Sequence, residues 1–117
     1  MLYNSTRDNS VKVESAKAIS SGISSDGGLF VPEKLPKLDK DFFNSIKDKP
    51  YIERAAAVLK LFLTDFTDSE IKACVEGAYS GTFDDDIPAP LADMSNGTYM
   101  LELWHGPTCA FKDMALQ

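Results

Sequence analysis

The sequence predicts an α+β fold in which a helical amino-terminal domain packs on a small strand element and is followed by the first strand and helix start of an α/β unit. Three observations lead there. Apolar residues recur at three- and four-residue steps across 52–63 and 71–79, the period of a helix with one buried face. The short apolar run Leu29-Phe30-Val31 lies between the Asp26-Gly27-Gly28 turn and Pro32, which suits a brief strand. Beyond residue 81, prolines and the run Asp84-Asp85-Asp86 break the helical pattern before strand-like residues resume at 98–103.

Taken in order, a first helix is expected from about Val11 to Ser21. Ser10 is placed to cap it, Val13, Ala16 and Ile19 to form its inner face, and Gly22 to stop it. Lys34 to Lys49 is expected to be looser, because Pro36 and alternating Lys and Asp dominate it, with Phe42, Phe43 and Ile46 available for one helical turn. Pro50 suits a first helical position, and Ile52, Ala55, Ala56, Leu59, Phe62 and Leu63 form the stripe that follows it. A third helix opens at the capping box Thr67-Asp68-Ser69-Glu70. Ile71, Cys74, Val75, Ala78 and Tyr79 make its buried face, and Gly77 and Gly81 mark where it gives out. A boundary near residue 81 then divides a first domain, 1–80, from a linker and the beginning of a second unit, 81–117. Thr98 to Leu103 reads as a strand entered from a hairpin at Asn96-Gly97.

Composition narrows the function classes. With 117 residues and 44% hydrophobic content, the chain is long enough for the core of one compact domain. A net charge of -6 argues against nucleic acid as a partner, since phosphate neutralisation needs clustered Lys and Arg. No apolar run approaches the roughly 20 residues that cross a bilayer, and the first residues lack a basic flank before an apolar stretch; no membrane partner and a cytoplasmic location are expected. Cys74 and Cys109 read as reduced thiols, and with His105 the sole histidine there is no zinc set. Asp84-Asp85-Asp86 lacks the spaced oxygen ligands and distal glutamate of a calcium loop, so no metal is expected. Asn4-Ser5-Thr6 and Asn96-Gly97-Thr98 are read as chance glycosylation matches.

The chemistry-bearing stretch is His105-Gly106-Pro107-Thr108-Cys109-Ala110-Phe111-Lys112-Asp113, which follows the strand directly and leads into helix-forming residues. An amine at a helix start lies in positive potential, and partial desolvation also disfavours its charge, so a lysine there becomes a better nucleophile toward an aldehyde. Phe111 offers an apolar wall to a flat ring. Spacing alone leaves two readings for each residue. Lys112 is a Schiff-base lysine or an ordinary exposed one. His105 touches substrate or cofactor, or is a turn residue bonded to backbone; Asp113 orients Lys112 or favours the helix start; Thr108 caps that helix or meets ligand.

The string Leu101-Glu102-Leu103-Trp104-His105-Gly106-Pro107-Thr108-Cys109-Ala110-Phe111-Lys112-Asp113 closely resembles the lysine motif of threonine synthases. Upstream, Tyr3, Ser5-Thr6-Arg7 and the 22–32 stretch with Asp26-Gly27-Gly28-Leu29-Phe30-Val31-Pro32 resemble that family's amino-terminal signature. The resemblance covers essentially the whole chain but only the first part of the family's length. Trp104 stands where the family usually has phenylalanine and Cys109 where it often has leucine. The resemblance implies that Lys112 is the catalytic lysine and holds pyridoxal 5′-phosphate; the residues around it add Phe111 and Asp113 as candidates on the cofactor side and His105 and Thr108 as candidates on the substrate side. The implied enzyme converts O-phospho-L-homoserine and water to L-threonine and phosphate, a carbon-oxygen lyase reaction of threonine biosynthesis. The loop for the cofactor phosphate and the partner of its pyridine nitrogen have no counterpart here and are expected after Gln117, in the remainder of the chain. This stretch alone is therefore expected to be inactive, with Lys112 exposed and the helix after it frayed. Two other readings are a non-catalytic interaction module and a related pyridoxal-phosphate-dependent lyase of different substrate. Oligomeric state is left open.

Overall fold

The computed structural model describes residues 1–117. Its elements are β1 (Leu2–Ser5), β2 (Lys12–Glu14), α1 (Ser15–Ser21), β3 (Phe30–Pro32), α2 (Lys40–Ile46), α3 (Tyr51–Phe62), α4 (Asp68–Tyr79), β4 (Leu91–Asp93), β5 (Tyr99–Leu101) and α5 (Asp113–Leu116). The mixture of helix and small strand elements agrees with the expected α+β class. β1 is the centre of an antiparallel sheet ordered β2-β1-β3, pairing Tyr3 with Val13 on one side and with Pro32 on the other. β4 and β5 form a separate hairpin that pairs Ala92 with Met100.

The first expected helix is corrected. Residues 12–14 are a strand in which Val13 is half-buried between exposed Lys12 and Glu14, the alternation of a sheet edge. Pairing with β1 outweighs the helical spacing of Val13, Ala16 and Ile19, so the helix starts at Ser15 and its inner face becomes Ser15 and Ala18. Ile19 is left 63% exposed. Ser10 plays no part in its cap. Asp65, fifty residues away, accepts from the Ser15 hydroxyl and from the Ala16 amide at 2.9 Å, satisfying orphan donors of the first turn. The Ser15 hydroxyl, with the Ala16 amide, holds the Asp65 carboxyl below the ordinary aspartate range.

Between Lys34 and Lys49 the chain is more regular than expected, because Asp39 accepts from the Phe42 amide at 2.9 Å and caps α2. Phe42 and Ile46 turn inward while Phe43 stays exposed. α3 follows Pro50, which is the residue before the helix rather than its first member. α4 opens at Thr67 with both halves of the capping box present: the Thr67 hydroxyl accepts from the Glu70 amide and Glu70 accepts from the Thr67 amide. α3 and α4 pack together, with Ile71 and Val75 each only 1% exposed. Cys74, expected on that face, is exposed, and Gly77 lies inside α4, which continues to Tyr79. Residues 80–90 carry no regular element, and the strand expected at 98–103 is shorter, Tyr99–Leu101, with a partner, β4, that lay unmarked in the sequence.

Two polar ties bind the sheet to the rest. The Tyr3 hydroxyl donates to the Phe62 carbonyl at 3.2 Å. The fully buried Ser5 hydroxyl donates to the Asp26 carboxylate, which also accepts from the Gly28 amide at 2.8 Å, while Arg7 reaches the Asp26 carbonyl at 3.1 Å. A Cβ at Gly28 would collide with the Ser5 hydroxyl, so only glycine lets this turn meet the end of β1. The hydrophobic core is otherwise small, being Ala18, Ile71, Val75 and Phe83. The accessible surface of 8190 Å² exceeds the roughly 6,300 Å² of a compact monomer of this mass. The radius of gyration, 16.4 Å, likewise exceeds the ~13 Å of a compact chain of this length.

Two outcomes follow. Thr67→Ala removes one half of the capping box and should cost about 1 kcal/mol, read as a lower urea midpoint with an unchanged slope. The Asp26 carboxyl is held below the ordinary aspartate value, first by the Gly28 amide and then by the Ser5 hydroxyl. Its contribution is therefore complete above the unfolded-state value of about 3.9 and is lost as pH falls through the lower folded value. Urea midpoints collected down a pH series should fall less steeply in this acid window for Asp26→Asn than for the unsubstituted chain.

Candidate active site

β5 delivers the chain to a turn at 105–110 that precedes α5, so Lys112 stands at a strand-to-helix corner. The turn closes locally, the Cys109 amide donating to the Gly106 carbonyl at 3.0 Å with Cys109 at φ 55°. The same corner is closed from the other end by Asp113, which is 4% exposed. One carboxylate oxygen accepts from the Thr108 amide at 2.8 Å and the other from the Thr108 hydroxyl at 2.7 Å. The Thr108 hydroxyl is the main cause that the Asp113 carboxyl lies below the ordinary aspartate range, with the Thr108 and Ala110 amides adding to it. Gly106 is buried against the same carboxylate; a Cβ there would stand 2.5 Å from Asp113 Cβ and 2.6 Å from Oδ2.

Lys112 takes helical dihedrals, φ -64° and ψ -23°, immediately before α5, and its side chain is exposed. Phe111 beside it is 65% exposed. After Lys112 the chain makes one helical turn, in which the Ala115 and Leu116 amides donate back to the Lys112 carbonyl, and the Tyr79 hydroxyl donates to the Met114 carbonyl at 3.0 Å. His105 is held on three sides. Its Nε2–H donates to Glu102 Oε2 at 2.7 Å, its Nδ1 lies 3.7 Å from Asp84 Oδ2, and its carbonyl accepts from the Asp84 amide at 3.0 Å. The Trp104 indole stacks on the imidazole with ring centres 5.5 Å apart.

Thr108, Asp113, Phe111 and Lys112 thus share one corner, while His105 enters it through the turn backbone and is turned toward Glu102 and Asp84. Neither Glu102 nor Tyr79 carries a sequence signal as a site residue. Glu102 precedes His105 by three positions in a non-helical stretch, where that spacing carries no facing information. Tyr79 read as one more core residue of α4, and nothing local marks the free end of its side chain.

A family model described as threonine synthase N terminus matches residues 2–79, about two thirds of the chain. The chain belongs to the threonine synthase family. Threonine synthase of Schizosaccharomyces pombe is 40% identical over 117 residues, covering 98% of this chain and 23% of the relative. That of Pseudomonas aeruginosa is 40% identical over 118, covering all of this chain and 25% of the relative. Threonine synthase-like 1 of Mus musculus is 39% identical over 105 residues, 87% of this chain and 14% of the relative. The crystal structure of a pyridoxal-phosphate-bound threonine synthase from Brucella melitensis superposes with a TM-score of 0.88 at 36% identity, over 97% of this chain and 24% of that one. The chain therefore spans about a quarter of the length of the threonine synthases it matches.

Substituting Gly106→Ala should open the corner, since the buried, doubly bonded Asp113 has no room to move aside. The Thr108 amide is expected to exchange at least about tenfold faster with solvent deuterium, with the α4 amides unchanged.

Proposed function

We propose that this chain is the amino-terminal region of a pyridoxal-phosphate-dependent threonine synthase, which converts O-phospho-L-homoserine and water to L-threonine and phosphate. One observation carries the reading. Within the family motif, the only side chain that is both nucleophilic as an amine and free of any partner is Lys112, presented outward from a corner whose backbone is fixed by Asp113 and Thr108. The fit to the cofactor rests on that donor chemistry: a primary amine, an exposed Phe111 ring beside it, and a turn held independently of the amine. When bound, pyridoxal 5′-phosphate supplies an aldehyde for the amine and a ring that takes up carbanion charge from the substrate.

The chain's own residues then divide the work. Lys112 holds the cofactor and, once released, moves a proton at the substrate α carbon. Asp113 keeps the turn closed so that the amine arrives in one direction, and Phe111 excludes water from one side of it. His105, oriented by Glu102, and Thr108 border the substrate side; the Thr108 proton is committed to Asp113, which leaves its oxygen as an acceptor.

The division of the chain near residue 81 belongs to the same proposal, supported by the lack of regular structure across 80–90. So do a cytoplasmic location and inactivity of residues 1–117 alone. No helix is long and apolar enough to cross a membrane, and the excess surface described above leaves the Lys112 corner open to water. A second reading is a related pyridoxal-phosphate-dependent lyase acting on another substrate.

The test uses the intact protein that contains this segment. Incubation with pyridoxal phosphate and trapping with borohydride should label Lys112. Lys112→Ala should abolish the label and lower threonine formation by roughly 10³-fold. Native-rate turnover by that variant would overturn the assignment, and turnover of a different phosphorylated amino acid in preference to O-phosphohomoserine would select the second reading.

A further inference from the structure

The contact that joins the first helical unit to the lysine corner involves Tyr79, a residue with no assigned part in the site. Tyr79 is the last residue of α4. Its ring meets Tyr51 edge-on at 5.1 Å and lies 5.9 Å from Phe83, a buried member of the small core. Its hydroxyl donates to the Met114 carbonyl at 3.0 Å, one turn position beyond Asp113 and two residues after Lys112. Five residues past Tyr79, the Asp84 amide donates to the His105 carbonyl at 3.0 Å. The 79–84 stretch therefore holds the segment at His105 and just beyond the motif at Met114, while Asp113 ties its end back to Thr108.

We propose that Tyr79 is a positioning residue for Lys112: through the Met114 carbonyl, the end of α4 fixes where the lysine backbone stands. The proposal rests on the assignment of Lys112 as the cofactor lysine but adds a function for the first helical unit, which sets the direction of the amine instead of only supporting the fold. The bond ties the turn after Lys112 to the end of α4 from outside that turn. A carbonyl oxygen has two lone pairs, so the bond survives if Met114 also accepts from a later amide of a longer helix. Correct placement of a reacting group is worth large rate factors, and misplacement far from the chemistry lowers turnover without a matching loss of binding.

The experiment compares Tyr79→Phe, which keeps the ring and removes the hydroxyl, with the unsubstituted intact protein. Without cofactor, hydrogen exchange is expected to quicken about three- to tenfold at the α5 amides that depend on the Lys112 carbonyl, those of Ala115 and Leu116, and to stay unchanged in α4. With pyridoxal phosphate, the absorbance of the lysine-linked cofactor should form more slowly and the pH midpoint of that band should move. In turnover, kcat should fall about three- to tenfold with KM within about twofold. Unchanged exchange in α5, or equal quickening across α4 and α5, would overturn the proposal, the second because it reports general destabilisation. The two readings fail separately. If borohydride does not label Lys112 in the unsubstituted protein, the cofactor assignment falls; if it labels both proteins at the same rate with the same band, only the positioning role falls.

Discussion

The corner around Lys112 depends on a single carboxylate. Asp113 accepts from the amide and the hydroxyl of Thr108 and sits against Gly106 without space for a Cβ. A buried carboxylate costs free energy unless its lone pairs are used, and here the turn supplies both donors. Loop and helix start are consequently one unit. The amine of Lys112 is free because its neighbours, not Lys112, meet the hydrogen-bonding needs of the corner.

The same economy of hydrogen bonds runs through the rest of the chain. Its core is small for 117 residues, yet its elements are tied across long sequence distances by Tyr3 to Phe62, Ser5 to Asp26, and Asp65 to the start of α1. These contacts are directional, so they specify where elements sit more strongly than apolar contact of equal area would. Large side chains such as Leu91, Tyr99, Leu101 and Phe111 remain exposed on the carboxy-terminal side. Residues 79–84 and 90 hydrogen-bond to the hairpin and to the lysine corner, the Pro90 carbonyl accepting from the Glu102 amide at 3.0 Å and the Tyr79 hydroxyl donating to the Met114 carbonyl.

Legibility followed the range of the interaction. The capping box of α4 could be read because Thr67 and Glu70 bond within one turn. α3 could be read because its stripe repeats at the helical period. The start of α1 could not, since its cap comes from Asp65 and its preceding residues are drawn into a sheet by β1. β4 escaped notice for a related reason: three residues, Leu91-Ala92-Asp93, carry no alternation long enough to register until β5 pairs with them.

By itself the sequence determined the α+β class, the helices α3 and α4, the family, and the contiguous segment from His105 to Asp113, because each is written in neighbouring residues or in spacing along one element. Only the tertiary structure decided that Asp113 faces Thr108, that Glu102 holds His105, and that Tyr79 reaches Met114. The Tyr79 pairing depends on where separate elements come to rest, and the other two span three and five residues of irregular backbone, where no repeat along the chain fixes which side chains meet.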